Sequence, residues 1–305
     1  MPDVLPVPSP LLGSLIAERK VRAVAEVADQ GGSGWAGSEP ALLSFERGLN
    51  QAQMQTRSGV CLRRAPYGSL EGWLDWDALR AEPAWLRDLA GSRALYDPAG
   101  HLERLAGLLA RLSAGQLETY RTDLLNQAET RLDAAQALLG PGGSLAAQLL
   151  VLADARRVAV ELLYPALLTH LHLWPGQQSD LRLPHLWRSQ AGLRAPKAVY
   201  RLDALQGFGG DSQARQMLLA SRGLNLTEQE KRARLAVQHG YYDGAVLQLR
   251  LEAARIWRAD LERWTYLTPA RRDKLGIMLG ASVSPLGPVA VELARELVED
   301  VRVGR

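Results

Sequence analysis

The sequence predicts an α+β protein that is predominantly helical. We expect a small mixed α/β N-terminal domain over residues 1–97 and a helical-bundle domain over residues 98–305. Apolar residues recur at helical spacing through most of the second region. The strand-like runs all lie in the first: Val60–Leu62, Leu70–Trp76 and Ala94–Tyr96. A hydrophobic share of 47% over 305 residues is enough for one large core or two ordinary ones.

Two helices are predicted before the first strand-like run. Ser14–Asp29 has apolar residues near helical spacing, and the glycine cluster Gly31–Gly34 would end this helix. Pro40–Gln55 is predicted to form the second. After the second strand-like run, Asp77 is predicted to be the N-cap of a helix that continues to Leu89.

The second region is predicted to be helical throughout, with breaks at glycine and proline. A Thr227/Glu230 capping box marks one helix start. The other predicted helices are Leu102–Leu112, Gln116–Leu139, Leu145–Leu173, Pro184–Gly192, Ala195–Leu205, Ser212–Ala220, Val246–Trp264, Ala270–Leu279 and Pro288–Val301.

The charged residues nearly balance, with 36 basic and 33 acidic side chains. Only four of the basic residues are lysines: Lys20, Lys197, Lys231 and Lys274. Arginine makes planar, two-pronged contacts with phosphate, which favours a nucleotide or nucleic acid as partner. A GC-rich genome, whose codons favour arginine, explains the same composition without any partner.

The sequence also restricts the cellular setting. A single cysteine, Cys61, excludes a disulfide framework within the chain and a zinc site built from several thiolates, and it fits a reducing cytoplasm. Charged residues interrupt the longest apolar stretch, Leu145–Leu173, so we expect no membrane span. The first ten residues lack the pattern of a signal peptide. The sequence therefore predicts a cytoplasmic protein.

Three phrases resemble a known family: Trp73–Leu79, Trp85–Gly91 and Arg93–Gly100. They are similar to the last part of the nucleotidyltransferase domain in the polymerase-β-like superfamily, in the bacterial branch close to aminoglycoside nucleotidyltransferases. In that family a short strand ends in a Leu-Tyr-Asp phrase and leads into a helical substrate domain. The likeness covers about Gly68 to Leu219.

The resemblance implies a specific catalytic site. In the family, a Gly-Ser pair at a helix start cradles nucleotide phosphates, and an Asp-x-Asp pair with a third carboxylate holds two magnesium ions. These ions activate the attacking hydroxyl and neutralise the triphosphate. This sequence departs from that pattern. Gly37-Ser38 is followed by Glu39-Pro40, and no Asp-x-Asp occurs before Leu70. Gly68-Ser69 is followed at short spacing by Asp75-Trp76-Asp77.

Several residues remain candidates under the resemblance. On a strand, Asp75 and Asp77 would share one face and could act as catalytic, metal-binding carboxylates together with Glu71. The alternative is that Asp77 caps a helix. Arg63 and Arg64 are candidate phosphate contacts, or exposed charges on an edge strand.

Taken together, the resemblance implies a degenerate nucleotidyltransferase-like protein that binds nucleotide or nucleic acid. An active transferase that needs ATP and magnesium is the alternative.

A second motif belongs to another class. Arg234, His239 and Tyr241 resemble the Arg-x4-His-x-Tyr signature of HEPN ribonucleases, which act without metal and usually as homodimers. Arg234 and His239 would then be catalytic. The alternatives are a surface arginine beside a helix-terminal histidine, and a non-catalytic helical module that binds DNA, RNA or protein.

Overall fold

A computed structural model describes most of the chain. It divides into two compact units, the first within Met1–Leu117 and the second within Glu118–Leu173 and Asp180–Arg305. The architecture is α+β and mostly helical, as predicted. The described residues are 9–27, 41–57, 60–90, 92–140, 143–173, 183–222, 224, 227–256, 258, 263–281 and 286–303.

A five-stranded mixed sheet forms the centre of unit 1, with the strand order β3-β4-β2-β1-β5. β2 and β4 are parallel, and the other neighbouring strands are antiparallel. Leucine and phenylalanine side chains of β2 are buried on both faces, which explains its continuous apolar run. The strands are β1 (Val21–Val27), β2 (Ala41–Glu46), β3 (Gln53–Arg57), β4 (Val60–Pro66) and β5 (Ser92–Tyr96).

Five helices accompany the sheet in the described part of unit 1. They are α1 (Ser9–Ala17), α2 (Tyr67–Gly72), α3 (Trp76–Arg80), α4 (Pro83–Ala90) and α5 (His101–Leu109). The strands predicted at Val60–Leu62 and Ala94–Tyr96 are confirmed, as β4 and β5.

Both helices predicted before β4 are wrong. Instead of one helix over Ser14–Asp29, α1 ends at Ala17 and the chain turns into β1. Instead of a helix over Pro40–Gln55, the chain forms β2 and β3. The glycine cluster Gly31–Gly34 lies outside the described residues.

The strand predicted at Leu70–Trp76 is also wrong, because α2 ends at Gly72 and α3 begins at Trp76. The indole of Trp73 packs against Trp85 of α4, with ring centroids 5.0 Å apart, and each ring lies 6.3 Å from Phe45 of β2. This aromatic cluster covers one face of the sheet with helices. The helix predicted to continue to Leu89 is likewise two helices, α3 and α4.

The helices predicted for unit 2 are mostly confirmed. α6 spans the division between the units, and a 3₁₀ turn at Trp264–Tyr266 follows α13. The helices are α6 (Ala114–Ala137), α7 (Leu145–Val158), α8 (Tyr164–His170), α9 (Leu183–Ala191), α10 (Pro196–Gln206), α11 (Gly210–Ser221), α12 (Thr227–Gln238), α13 (Tyr242–Ile256), α14 (Pro269–Leu279) and α15 (Pro288–Val303). No described helix has the length and apolar character that crossing a membrane requires.

The predicted helix Leu145–Leu173 forms with one irregularity, a π-helical turn at Ala159–Leu163 between α7 and α8. Pro165 lies at the start of α8 and has no backbone N–H to donate. Its ring would also clash with the carbonyl of residue 161 in a regular helix, so the wider turn relieves that clash.

Two arginines lie in the core of unit 2, each 2% exposed. The guanidinium of Arg156 donates to the carbonyls of Leu205 (3.0 Å), Gln206 (3.2 Å) and Leu279 (2.5 Å), and that of Arg250 also donates to Gln206. These carbonyls lie at the C-terminal ends of α10 and α14, where the negative end of the helix dipole favours a cation. Burial lowers the pKa of Arg250 to about 10, and burial with the Arg250 charge lowers that of Arg156.

Candidate functional site

A β-bulge adds an arginine to β1 at one end of the unit 1 sheet. In the pairing of β1 with β2, Val21 lies opposite Glu46 and Ala23 opposite Phe45, so Arg22 is the extra residue. Bulges redirect side chains and are frequent beside functional sites. Arg22 is half-buried, and its Nε atom is buried without a hydrogen-bond partner among the described atoms.

Further basic residues lie at the same end of the sheet. Arg47 follows the last residue of β2, and its backbone N–H donates to the carbonyl of Lys20, which precedes β1, at 2.9 Å. The side chains of Arg19, Lys20 and Arg47 are exposed. This end of the sheet therefore has several cationic groups that solvent reaches.

A tyrosine–histidine pair lies in the same region. Tyr67, the first residue of α2, is 8% exposed, and its hydroxyl lies 2.7 Å from Nδ1 of His101, the first residue of α5. Asp97 fixes the start of α5, because its carboxylate accepts the backbone N–H groups of His101 (3.1 Å) and Leu102 (2.7 Å). The Leu-Tyr-Asp phrase thus positions the histidine.

Charges of both signs surround the Tyr67 hydroxyl. Burial raises its pKa, and the carboxylates of Glu71 and Asp97 raise it further, whereas the guanidinium groups of Arg47 and Arg22 act in the opposite direction. Arg22, Arg47, Tyr67 and His101 therefore lie at the same end of the sheet, and only Tyr67 and His101 are in direct contact. We call these four residues the sheet-end site.

Arg63 and Arg64, the predicted phosphate contacts, each have a carboxylate partner. Arg63 is paired with the buried Asp88 of α4. Arg64 donates through Nε to the buried Glu46 at 2.6 Å, and Ser44 donates to the same carboxylate at 3.0 Å. Binding a phosphate through either arginine would compete with these ion pairs.

Glu46 carries a strongly stabilised negative charge. Burial alone would raise its pKa, but the hydrogen bonds from Arg64 and Ser44 and the charges of Arg64 and Lys20 outweigh burial, so the pKa lies below 4.5. Glu46 is 1% exposed. Its carboxylate is ionised at neutral pH, and its ion pair with Arg64 joins β4 to β2.

The predicted metal-binding acids do not share a strand face, because none of them lies on a strand. Glu71 is exposed on α2, and Asp75 is the N-cap of α3, accepting the backbone N–H of Asp77 at 3.2 Å. Asp77 accepts a hydrogen bond from Arg80 at 2.8 Å. The helix cap is therefore Asp75, not Asp77 as the sequence predicts.

These residues do not fit a two-magnesium site. Within the described ranges, no three His, Cys, Asp or Glu side chains are grouped so that they could hold a metal ion. Gly68 and Ser69 lie in the first turn of α2, next to Tyr67. The other Gly-Ser pair, Gly37-Ser38, and Glu39 lie outside the described residues.

Leucines occupy the end of the parallel pair where β2 begins. Leu42 of β2 lies opposite Leu62 of β4, and Leu43 follows on the other face. All three are fully buried. These strand positions are therefore part of the apolar core.

The second motif lies in unit 2. Arg234 is half-exposed on α12 and donates through Nε to Glu230 at 3.1 Å. His239 follows the last residue of α12, before Gly240, whose φ of +80° ends the helix. Tyr241 lies edge-on to the ring of His185 at 6.5 Å. Arg234 is thus a surface residue that forms an ion pair with Glu230, one helical turn away.

Sequence reasoning missed the four residues of the sheet-end site. Arg19, Lys20 and Arg22 are a weak signal in the sequence, but the apolar spacing predicts that they lie inside the helix Ser14–Asp29. Tyr67 and His101 are 34 residues apart, and only the packing of α2 against α5 brings them together.

Comparisons with known proteins identify no family for this chain. No protein-family model and no curated protein matches it. Among solved structures, it matches a nucleotidyltransferase-like protein from Exiguobacterium sibiricum 255-15 at 14% identity, over 89% of this chain and 87% of the other. The TM-score is 0.35, too low to support a structural or functional argument.

Proposed function

We propose that the protein is nucleotidyltransferase-like, does not carry out metal-dependent transfer, and binds the phosphate groups of a nucleotide or nucleic acid at the sheet-end site. The observation that supports the proposal is that Arg22 and Arg47 lie at the same end of the sheet as the Tyr67–His101 hydrogen bond. Two guanidinium groups with a hydroxyl and an imidazole are suited to a phosphate group.

The likeness to nucleotidyltransferases rests on the order of elements. β5 ends at Tyr96, and Asp97 leads into α5 and the helices after it. This is the order that the resemblance implies.

Two observations argue against metal-dependent transfer. Glu71, Asp75 and Asp77, the acids that the resemblance singles out, lie on helices or in a helix cap and not together on a strand. The acid of the β2–β4 pair, Glu46, is neutralised by Arg64. A magnesium ion at Glu46 would have to displace a buried ion pair, at a cost of several kcal/mol.

Binding of labelled single-stranded RNA in EDTA, followed by fluorescence anisotropy with ATP as competitor, tests the proposal. We expect Arg22→Gln and Arg47→Gln each to weaken binding about tenfold, because each removes a charged contact to phosphate. Arg111→Gln is the matched control, because Arg111 is exposed at the far end of α5.

Three outcomes separate the possibilities. Competition by ATP together with a shallow salt dependence identifies a nucleotide site, whereas a steep salt dependence identifies nucleic acid. If the wild type binds neither ligand, or if all three variants bind equally well, the sheet-end site is not a phosphate site.

A further inference from the structure

A surface groove in unit 2 lies between α10 and α15 and has a volume of about 390 Å³. Its lining combines apolar and charged side chains: Pro196, Lys197, Tyr200, Arg201, Leu293 and Glu296. We call it the α10–α15 groove. No step in the proposed phosphate binding uses it.

The apolar part of this surface is unusually exposed. Tyr200 on α10 is 73% exposed, and Val289, one turn before Leu293 on α15, is 55% exposed. An exposed aromatic and an exposed aliphatic side chain beside a groove are typical of a protein-binding surface.

Ion pairs hold together the two helices that form the groove. Arg201 of α10 donates to Glu296 of α15 at 2.8 Å and also pairs with Asp300. These contacts fix the helices before any partner binds, which lowers the ordering cost of association.

Two further charges are exposed: Lys197, which lines the groove on α10, and Glu292, which precedes the lining residue Leu293 on α15. Within the described residues, neither takes part in an ion pair. The lining has two positive charges, Lys197 and Arg201, and one negative charge, Glu296, and the neighbouring Glu292 makes the charges of this surface equal in number. A nucleic acid or an anionic membrane would require an excess of positive charge, so the surface does not suit either.

We propose that the α10–α15 groove is the contact between two copies of the chain related by a two-fold axis. Tyr200, Val289 and Leu293 form its centre, and Lys197 of each copy faces Glu292 of the other. In a two-fold interface every contact occurs twice, so a surface with both signs of charge complements itself.

Analytical ultracentrifugation of the full chain over a range of concentrations tests this proposal. Lys197→Glu and Glu292→Lys each create two like-charge contacts, and we expect each to weaken dimerisation about tenfold. The double variant restores the opposite charges and is expected to dimerise within about twofold of the wild type. Tyr200→Ser, which leaves the charges unchanged, is expected to weaken the dimer as well.

Arg215→Glu is the matched control, since Arg215 is 64% exposed on α11 and away from the groove residues. Circular dichroism confirms that each variant is folded. A wild type that stays monomeric at every concentration overturns the proposal. So does a double variant as weak as the single ones, because compensation requires that the two charges meet across a self-contact.

Discussion

At the residue scale, Glu46 is the most sharply testable position. Its folded-state pKa lies below the ordinary 4.5, so its stabilising effect is complete above pH 4.5 and is lost as the pH falls through the folded-state value. We expect Glu46→Gln to lower the free energy of unfolding at pH 7 by about 3 kcal/mol, because Arg64 then lacks a buried partner. At pH 3 the difference from the wild type is expected to shrink. Urea unfolding at both pH values measures this.

Glu118→Gln serves as the comparison for Glu46→Gln. The hydrogen bond from Arg121 lowers the pKa of Glu118, but this side chain is 57% exposed. We expect its loss to cost less than about 1 kcal/mol, because solvent screens the pair. Equal losses from both substitutions, or a loss at Glu46 that is the same at both pH values, would contradict the role given to the buried ion pair.

The roles of single residues were the least predictable from sequence. Arg63 and Arg64 were recognised as charges on a strand, but Asp88 is 25 residues from Arg63 and lies on a helix. The position of Arg22 in the sheet depends on a bulge, and the pairing of β1 with β2 decides where that bulge lies. Sequence spacing shows neither long-range pairing nor strand register.

At the scale of elements, Asp97 connects β5 to α5. Its carboxylate accepts backbone N–H groups from the first turn of α5, including those of His101 and Leu102. We expect Asp97→Ala to lower the free energy of unfolding by about 1–2 kcal/mol, because these donors lose their acceptor. Thermal and urea unfolding measure the effect.

Asp97→Asn is the control, because an asparagine oxygen also accepts at a helix start. It is expected to retain most of the stability. If the alanine and asparagine variants are equally stable, the carboxylate does not hold the helix start. The alanine variant is also expected to weaken phosphate binding, since it releases His101.

Elements of the two units differed in how well the sequence predicted them. The helices of unit 2 follow from the local spacing of apolar residues, and they were found nearly in full. In β1, buried valines at positions 21, 24 and 27 have the spacing of a helix, while the alternation that marks a strand is missing because most of the strand is buried. Strands buried on both faces have no period for a sequence to show.

At the scale of the whole molecule, the α+β class and the change from a mixed to a helical region were predictable from composition and periodicity. The candidate site was not, because the sheet end is assembled from β1, β2, α2 and α5. The acids that the resemblance singled out lie on helices and in helix caps instead. The proposed function therefore depends on arginines that the fold places at the sheet end.

The central claim is that the protein binds phosphate without metal-dependent transfer. The most direct measurement is the melting temperature of the wild type with ATP, in EDTA and in excess magnesium, followed by analysis of the ATP for pyrophosphate release. We expect ATP to raise the melting temperature to a similar extent in both conditions, with no pyrophosphate formed. Stabilisation that requires magnesium, or release of pyrophosphate, would contradict the account.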